Sequence, residues 1–182
     1  MTKLRSRYVS QAAGRVLEVG IGSGLNLSHY GCAVESITGV DPAEALTRKA
    51  KERADRIRAE VAVIGVSGES IPVRSESFDT VLCTWTLCSI PDPQAAIAEM
   101  YRALKPDGKL IFVEHGQSPE PKISKWQHRI EPYWKVVAGG CHLTRRIDDL
   151  VTAGGFAIKS FESGYQTGPK IAAFMMHGIA TR

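Results

Sequence analysis

A chain of 182 residues, 43% hydrophobic and 23% charged, has apolar material for one sizeable core but is too short for two full domains, so residues 1–182 are expected to form a single domain. Its 23 basic and 19 acidic side chains leave a formal charge of +4, too near balance for nucleic-acid binding to be expected. No apolar stretch approaches the roughly 18 residues needed to span a bilayer, and no signal sequence is visible, so a cytoplasmic location is expected.

Residues 1–14 read as a short basic leader, with Lys3, Arg5 and Arg7 and no acidic residue before Glu18. Such a leader suits solvent, or a weak contact with an acidic membrane surface. A strand is predicted at 15–19, and it runs into Gly20-Ile21-Gly22-Ser23-Gly24 before a helical pattern at 25–30. Alternating glycines at the end of a buried strand let backbone approach a ligand closely and direct N–H groups at it. A dinucleotide fingerprint, G-x-G-x-x-G, fails in both registers, because the sixth position is Leu25 or Leu27. The second strand, 36–40, ends at Asp41. A carboxylate there accepts hydrogen bonds from ribose hydroxyls, a role compatible with capping the helix predicted at 43–55.

Strands at 60–66 and 80–84 follow, then a helix at 93–104 with Pro93 in its first turn, where the missing N–H costs nothing. Pro106-Asp107-Gly108 forms a turn into the strand at 109–114. His115 stands at that strand's carboxyl end, where open α/β sheets bind ligands, and its imidazole is a candidate proton acceptor for an incoming nucleophile or a structural histidine. Ile123, Trp126, Ile130, Trp134 and Val137 make one apolar face of the pattern at 123–137, either core or substrate cap, and Pro132 predicts a break in it. Arg145, after Gly139-Gly140-Cys141, is a candidate to hold a substrate anion or to start the helix at 147–153 in solvent. Strands at 158–162 and 171–176, joined by a short glycine-bearing link, predict an antiparallel hairpin. Cys32, Cys83, Cys88 and Cys141 show neither a Cys-x-x-Cys pair nor a regular spacing, so reduced thiols and no metal site are expected.

Taken in order, Glu18-x-Gly20-x-Gly22-x-Gly24, Gly39-Val40-Asp41-Pro42, Gly68-Glu69-Ser70-Ile71-Pro72, Ser77-Phe78-Asp79-Thr80-Val81 and Leu104-Lys105-Pro106-Asp107-Gly108 resemble the motif series of class I S-adenosylmethionine-dependent methyltransferases. Cys83-Thr84-Trp85-Thr86-Leu87-Cys88-Ser89, Glu114-His115, Trp126-Gln127 and Gly140-Cys141-His142-Leu143-Thr144-Arg145 resemble the thiol S-methyltransferase branch. No counterpart of that branch's apolar amino-terminal anchor is visible in the sequence, so membrane association is not expected to carry over. The resemblance implies an α/β, Rossmann-like, seven-stranded and mostly parallel sheet with an antiparallel last strand and helices on both faces. It implies S-adenosylmethionine as cofactor, S-adenosylhomocysteine as product and a small-molecule acceptor, preferably a thiol. Gly20, Gly22 and Gly24 would line the methionine part, Asp41 would hold the ribose, and Gly68, Glu69 and Ser70 would flank adenine. Glu18, Asn26, Pro42 and Thr84 complete the implied cofactor set. Residues 115–146 are the candidate acceptor side, with His115 and Arg145 as catalytic candidates. The alternatives are an O- or N-methyltransferase of a quinone precursor or phospholipid headgroup, and a non-catalytic S-adenosylmethionine-binding protein.

Overall fold

The computed structural model describes residues 2–182. Its strands are β1 (Gly14–Val19), β2 (Val34–Val40), β3 (Glu60–Ile64), β4 (Phe78–Thr84), β5 (Leu104–His115), β6 (Ala157–Tyr165) and β7 (Phe174–Thr181). They form one seven-stranded sheet, as the sequence leads one to expect, in the order β3-β2-β1-β4-β5-β7-β6. All neighbours are parallel except β7, which runs antiparallel to both β5 and β6. Residues 16–19 of β1 and 80–84 of β4 are buried, as central parallel strands covered on both faces must be. The chain builds outward from β1 through β2 to β3, then returns to the other side of β1 with β4. The carboxyl ends of β1 and β4 therefore flank the topological switch point, the crevice where open sheets bind ligands.

Helices α1 (Thr2–Val9) and α2 (Glu44–Ala54) cover one face, burying Leu4, Tyr8, Val9 and Ala50 against Val16, Ile37 and Ile111. Helices α3 (Pro93–Ala103) and α5 (Ile147–Ala153) cover the other, with Ile97, Met100, Ile147 and Val151 against Leu17, Val81 and Phe112. Among the described residues no helix is long and apolar enough to cross a membrane.

Five expectations need correction. The strand expected at 109–114 begins at Leu104, so Pro106-Asp107-Gly108 forms an irregular stretch within β5, where the register against β4 shifts. The leader is not merely a basic tail, because residues 2–9 are the helix α1. Its charges mask a buried i, i+4 pair, Leu4 and Tyr8, and the Tyr8 hydroxyl lies 2.8 Å from His177 Nδ1. The pattern at 25–30 condenses to a single 3₁₀ turn, Leu27–His29, since only six residues separate Gly24 from Gly31 and Asn26 turns its side chain into the sheet. Pro132 does not break α4 (Pro121–Val137): the proline is exposed, so the carbonyl that loses its donor faces solvent. The last strand begins three residues late, because Lys170–Ala172 form a 3₁₀ turn, and it extends to Thr181.

Only part of α4's apolar face is covered. Ile130 and Trp134 pack on Cys88, Cys141 and Leu143, while Trp126 and Val137 are exposed. The helix is anchored instead by Gln127, wholly buried, whose amide accepts the Ser118 N–H and donates to the carbonyls of Gly116 and Ile171.

Candidate active site

The loop leaving β1 holds Gly20, Gly22 and Gly24 at φ of +77°, +53° and +76°. The three have different surroundings. A Cβ on Gly20 would lie 1.9 Å from the Thr86 Oγ1 atom, and one on Gly24 would lie 2.8 Å from Leu27 Cδ1 and 3.1 Å from Ala50 Cα. A Cβ on Gly22 would meet nothing nearer than the Gly20 carbonyl oxygen at 4.0 Å. Packing therefore demands the outer two glycines, while Gly22 presents bare backbone to an open cleft.

Asp41 follows β2 directly. Its Oδ2 accepts the Gly22 N–H at 3.1 Å and its Oδ1 accepts the Ala43 N–H at 2.8 Å, so one carboxylate fixes both the glycine loop and the start of α2. A carboxylate offers about four acceptor positions, which leaves capacity on each oxygen for a ligand hydroxyl. The cleft encloses about 370 Å³. Of the expected set, Gly20, Gly22, Asp41, Pro42, Gly68 and Thr84 line it. Ser67, Trp85, Thr86, Ser89 and Gly139 also line it, beside apolar residues that include Val19, Leu46 and Ile90. A larger depression of about 820 Å³ lies between residues 24–35 and 53–59, and of the expected residues only Gly24 reaches it.

The remaining expected residues stand off the wall. Glu69 accepts the Asp92 N–H at 2.7 Å and the Ser67 hydroxyl at 2.9 Å, tying the loop to the start of α3, and Ser70 is exposed beyond it. Glu18 and Asn26 are buried behind the cleft. The Asn26 amide donates to Glu18 at 2.7 Å and to Thr84 Oγ1 at 2.9 Å, and Tyr30 donates its hydroxyl to Glu18 at 2.7 Å. Arg5 closes this network from α1, donating to Asn26 Oδ1 with its guanidinium 4.4 Å above the Trp85 ring.

Burial raises the Glu18 pKa from 4.5 to about 7, against the hydrogen bonds from Tyr30 and Asn26 and the charge of Arg5. The native protein then keeps this proton between pH 4.5 and 7 where the unfolded chain has lost it. The resulting stability is fully present below 4.5 and is lost as pH rises through 7, a change on the order of 3 kcal/mol. Urea unfolding of the wild type should show this loss between pH 5 and 8, and Glu18→Gln should show a correspondingly flatter profile. Equal pH slopes in both proteins would contradict the assignment.

On the opposite wall, Trp85 turns out of β4 at φ +53°, a left-handed conformation that costs a bulky side chain on the order of 1–3 kcal/mol. Two side chains hold the loop that follows. The buried carboxylate of Glu114 accepts the N–H groups of Thr86 and Cys88, each at 3.0 Å, and burial still pushes its pKa upward. The Arg145 guanidinium donates to the carbonyls of Leu87 at 2.5 Å and Ile90 at 2.7 Å. Arg145 thus clamps the cleft wall, and its side chain does not border the cleft. His115 does not border it either. Its Nδ1 lies 3.7 Å from Cys141 Sγ and 4.0 Å from Cys88 Sγ. The two sulfurs lie within 4.8 Å of one another, and their proximity lowers the Cys141 pKa and raises that of Cys88.

Sequence reasoning missed Arg5, Tyr30 and Glu114. Glu114 carried a signal, as an acid closing the apolar run Leu110-Ile111-Phe112-Val113. Arg5 and Tyr30 carried none, since only the packing of α1 and of the turn after Asn26 brings them to Glu18.

Residues 17–112 match the family described as Methyltransferase domain. Over 133 residues the chain is 34% identical to thiol S-methyltransferase TMT1B of Rattus norvegicus, covering 71% of this chain and 54% of that protein. It is 32% identical to a ubiquinone biosynthesis O-methyltransferase of Alkalilimnicola ehrlichii over 64% of this chain and 50% of that one. The chain spans about half the length of the curated relatives it matches. The crystal structure of a SAM-dependent methyltransferase from Methanosarcina mazei superposes with a TM-score of 0.75 at 25% identity, covering 98% of this chain and 96% of that one.

Proposed function

The chain belongs to the Methyltransferase domain family and its cofactor is S-adenosylmethionine, and we propose that it transfers the cofactor's methyl group to a small acceptor, a thiol by preference. The observation that carries this reading is the pairing of Asp41 with Gly22: a carboxylate with acceptor capacity to spare stands beside the one glycine of the loop whose bare face is open. These residues fit a nucleoside with two ribose hydroxyls at the end of β2 and a chain running along the glycine loop. The thiol preference draws its support from the likeness to thiol S-methyltransferase TMT1B, together with the chemistry that follows.

When bound, the cofactor supplies a methyl group on a positively charged sulfur. The protein's part is placement. Asp41 holds the hydroxyls, Gly22 lets the chain come close, and Thr86 and Ser89 form the facing wall, fixed by Glu114 and Arg145. Alignment of this kind lowers a transfer barrier without acid–base chemistry. A thiol with pKa near 8.5 supplies a few per cent of thiolate at about pH 7, so it needs no base at the cleft. In this reading Arg145 positions the wall, and neither it nor His115 touches the acceptor.

Asp41→Ala should lower S-adenosylhomocysteine affinity roughly ten- to a hundredfold, the equivalent of about 1.5–3 kcal/mol for hydrogen bonds to a charged acceptor. Calorimetric titration measures this, and unchanged affinity would contradict the ribose assignment. The acceptor class is tested by incubating the protein with S-adenosylmethionine and a panel of small thiols, phenols and amines, with products read by mass spectrometry. An S-methyl product supports the thiol reading. Exclusive O- or N-methylation would replace it, and intact cofactor binding with no transfer to any acceptor would mark a non-catalytic binder.

A further inference from the structure

We propose that Cys88, His115 and Cys141 form a binding site for one divalent cation of the zinc class. The three come from the loop after β4, the end of β5 and the loop between α4 and α5, separated by 27 and 26 residues. Such spacing hides the set from any local motif. In the fold their ligand atoms all lie within 4.8 Å of one another, with His115 Nδ1 3.7 Å from one sulfur and 4.0 Å from the other. Tetrahedral zinc, with bonds of about 2.3 Å to sulfur and 2.0–2.1 Å to nitrogen, sets its ligand atoms about 3.5–3.8 Å apart. The two nitrogen–sulfur separations, 3.7 and 4.0 Å, are within about half an ångström of that geometry, and closing the sulfur pair from within 4.8 Å completes it.

The donor set selects the metal. Two thiolates and an imidazole suit zinc, whereas calcium and magnesium require oxygen ligands. Trp134 packs against Cys88 and Cys141, and its indole N–H, buried without a hydrogen-bond partner, is a ready donor to a metal-bound sulfur. The Cys88 backbone is fixed from both sides, its N–H by Glu114 and its carbonyl by the His142 N–H at 2.6 Å. Three protein ligands leave one tetrahedral position for water or another small ligand, as in zinc sites with an exchangeable position. The ion would pin residues 138–146 to the ends of β4 and β5, next to Ser89 and Gly139 of the cleft wall. This inference stands whatever the acceptor is.

The test uses the reduced, full chain stripped with a chelator and titrated with Co²⁺ as the spectroscopic probe. The expected result is thiolate-to-cobalt absorption and tetrahedral visible bands that saturate at a single equivalent and are displaced by Zn²⁺. Cys141→Ser and His115→Gln should lose or shift these bands, and Cys32→Ser, at an exposed thiol, should keep them. Zn²⁺ should also raise the melting temperature of the wild type, reversibly with chelator. If Cys141→Ser fails to fold, the partly exposed His115→Gln decides. Absence of sulfur-to-cobalt absorption in the reduced wild type would overturn the proposal, as would bands unchanged in His115→Gln. A Cys88–Cys141 disulfide formed on mild oxidation, in a protein that takes up no cobalt when reduced, would replace the metal site with a redox pair.

Discussion

Gly22→Val should abolish cofactor binding, a loss of at least about a hundredfold, in a chain that still folds, whereas Gly20→Val should fail to fold. Both glycines have positive φ, so backbone strain alone does not separate them. A left-handed residue costs about 1–2 kcal/mol, somewhat more when β-branched, which a domain stable by roughly 5–15 kcal/mol survives. The separation comes from what a side chain would meet. At position 22 it enters open cleft, the space assigned to the cofactor, and touches no core atom. At position 20 it lands on Thr86, whose hydroxyl donates to the Thr84 carbonyl at 3.1 Å and whose N–H is held by Glu114. Thr86 cannot step aside without breaking both. Circular dichroism and calorimetric titration read the two outcomes. Wild-type affinity in Gly22→Val would show that the ligand does not pass the glycine loop, and a stably folded Gly20→Val would refute the packing argument.

Glu114→Ala should cost at least about 3 kcal/mol of stability and weaken cofactor binding in whatever protein remains folded. The carboxylate is wholly buried and serves the N–H groups of Thr86 and Cys88. Removing it leaves buried donors without acceptors at about 1–3 kcal/mol each, and leaves a cavity at the end of β5. The loop from Trp85 to Ile90 would then be held from outside by Arg145 and by the backbone bonds of Trp85 to Val113 and of Cys88 to His142, and the N–H groups of Thr86 and Cys88 would lose the acceptor that places Thr86 and Ser89 on the cleft wall. Urea unfolding checks the first part. A cost below about 1 kcal/mol would mean that the loop keeps its shape without Glu114.

Local pattern was enough for the first half of the sheet and for the shape of the glycine loop and its bond to Asp41. The run ending at Val19, the glycines after it and the acid closing β2 are contiguous signals, and each fixes its own geometry through strand burial, positive φ and a short side-chain bond. What escaped was long-range. Helix α1 reads as a charged tail because its buried face is only Leu4, Tyr8 and Val9, yet it delivers Arg5 to Asn26. Arg145 read as an anion ligand or a solvent-facing helix start, because nothing in its neighbourhood reveals that two carbonyls of a loop 55–58 residues away will claim its guanidinium. His115 was legible as a strand-end histidine, but its partners Cys88 and Cys141 appear only when the β4 and α4–α5 loops meet. Pro132 misled in the opposite direction, since α4 continues through it on an exposed side, where solvent can serve the carbonyl that loses its donor.

The central claim is that the crevice between the ends of β1 and β4 holds an adenosyl sulfonium cofactor and not a dinucleotide. Calorimetric titration of the wild type with S-adenosylhomocysteine and, separately, with NADH tests it most directly. The account predicts saturable binding of S-adenosylhomocysteine at one site per chain and no comparable binding of NADH, because the third glycine of a dinucleotide loop is replaced by Leu25 or Leu27. Tight binding of NADH with none of S-adenosylhomocysteine would contradict it.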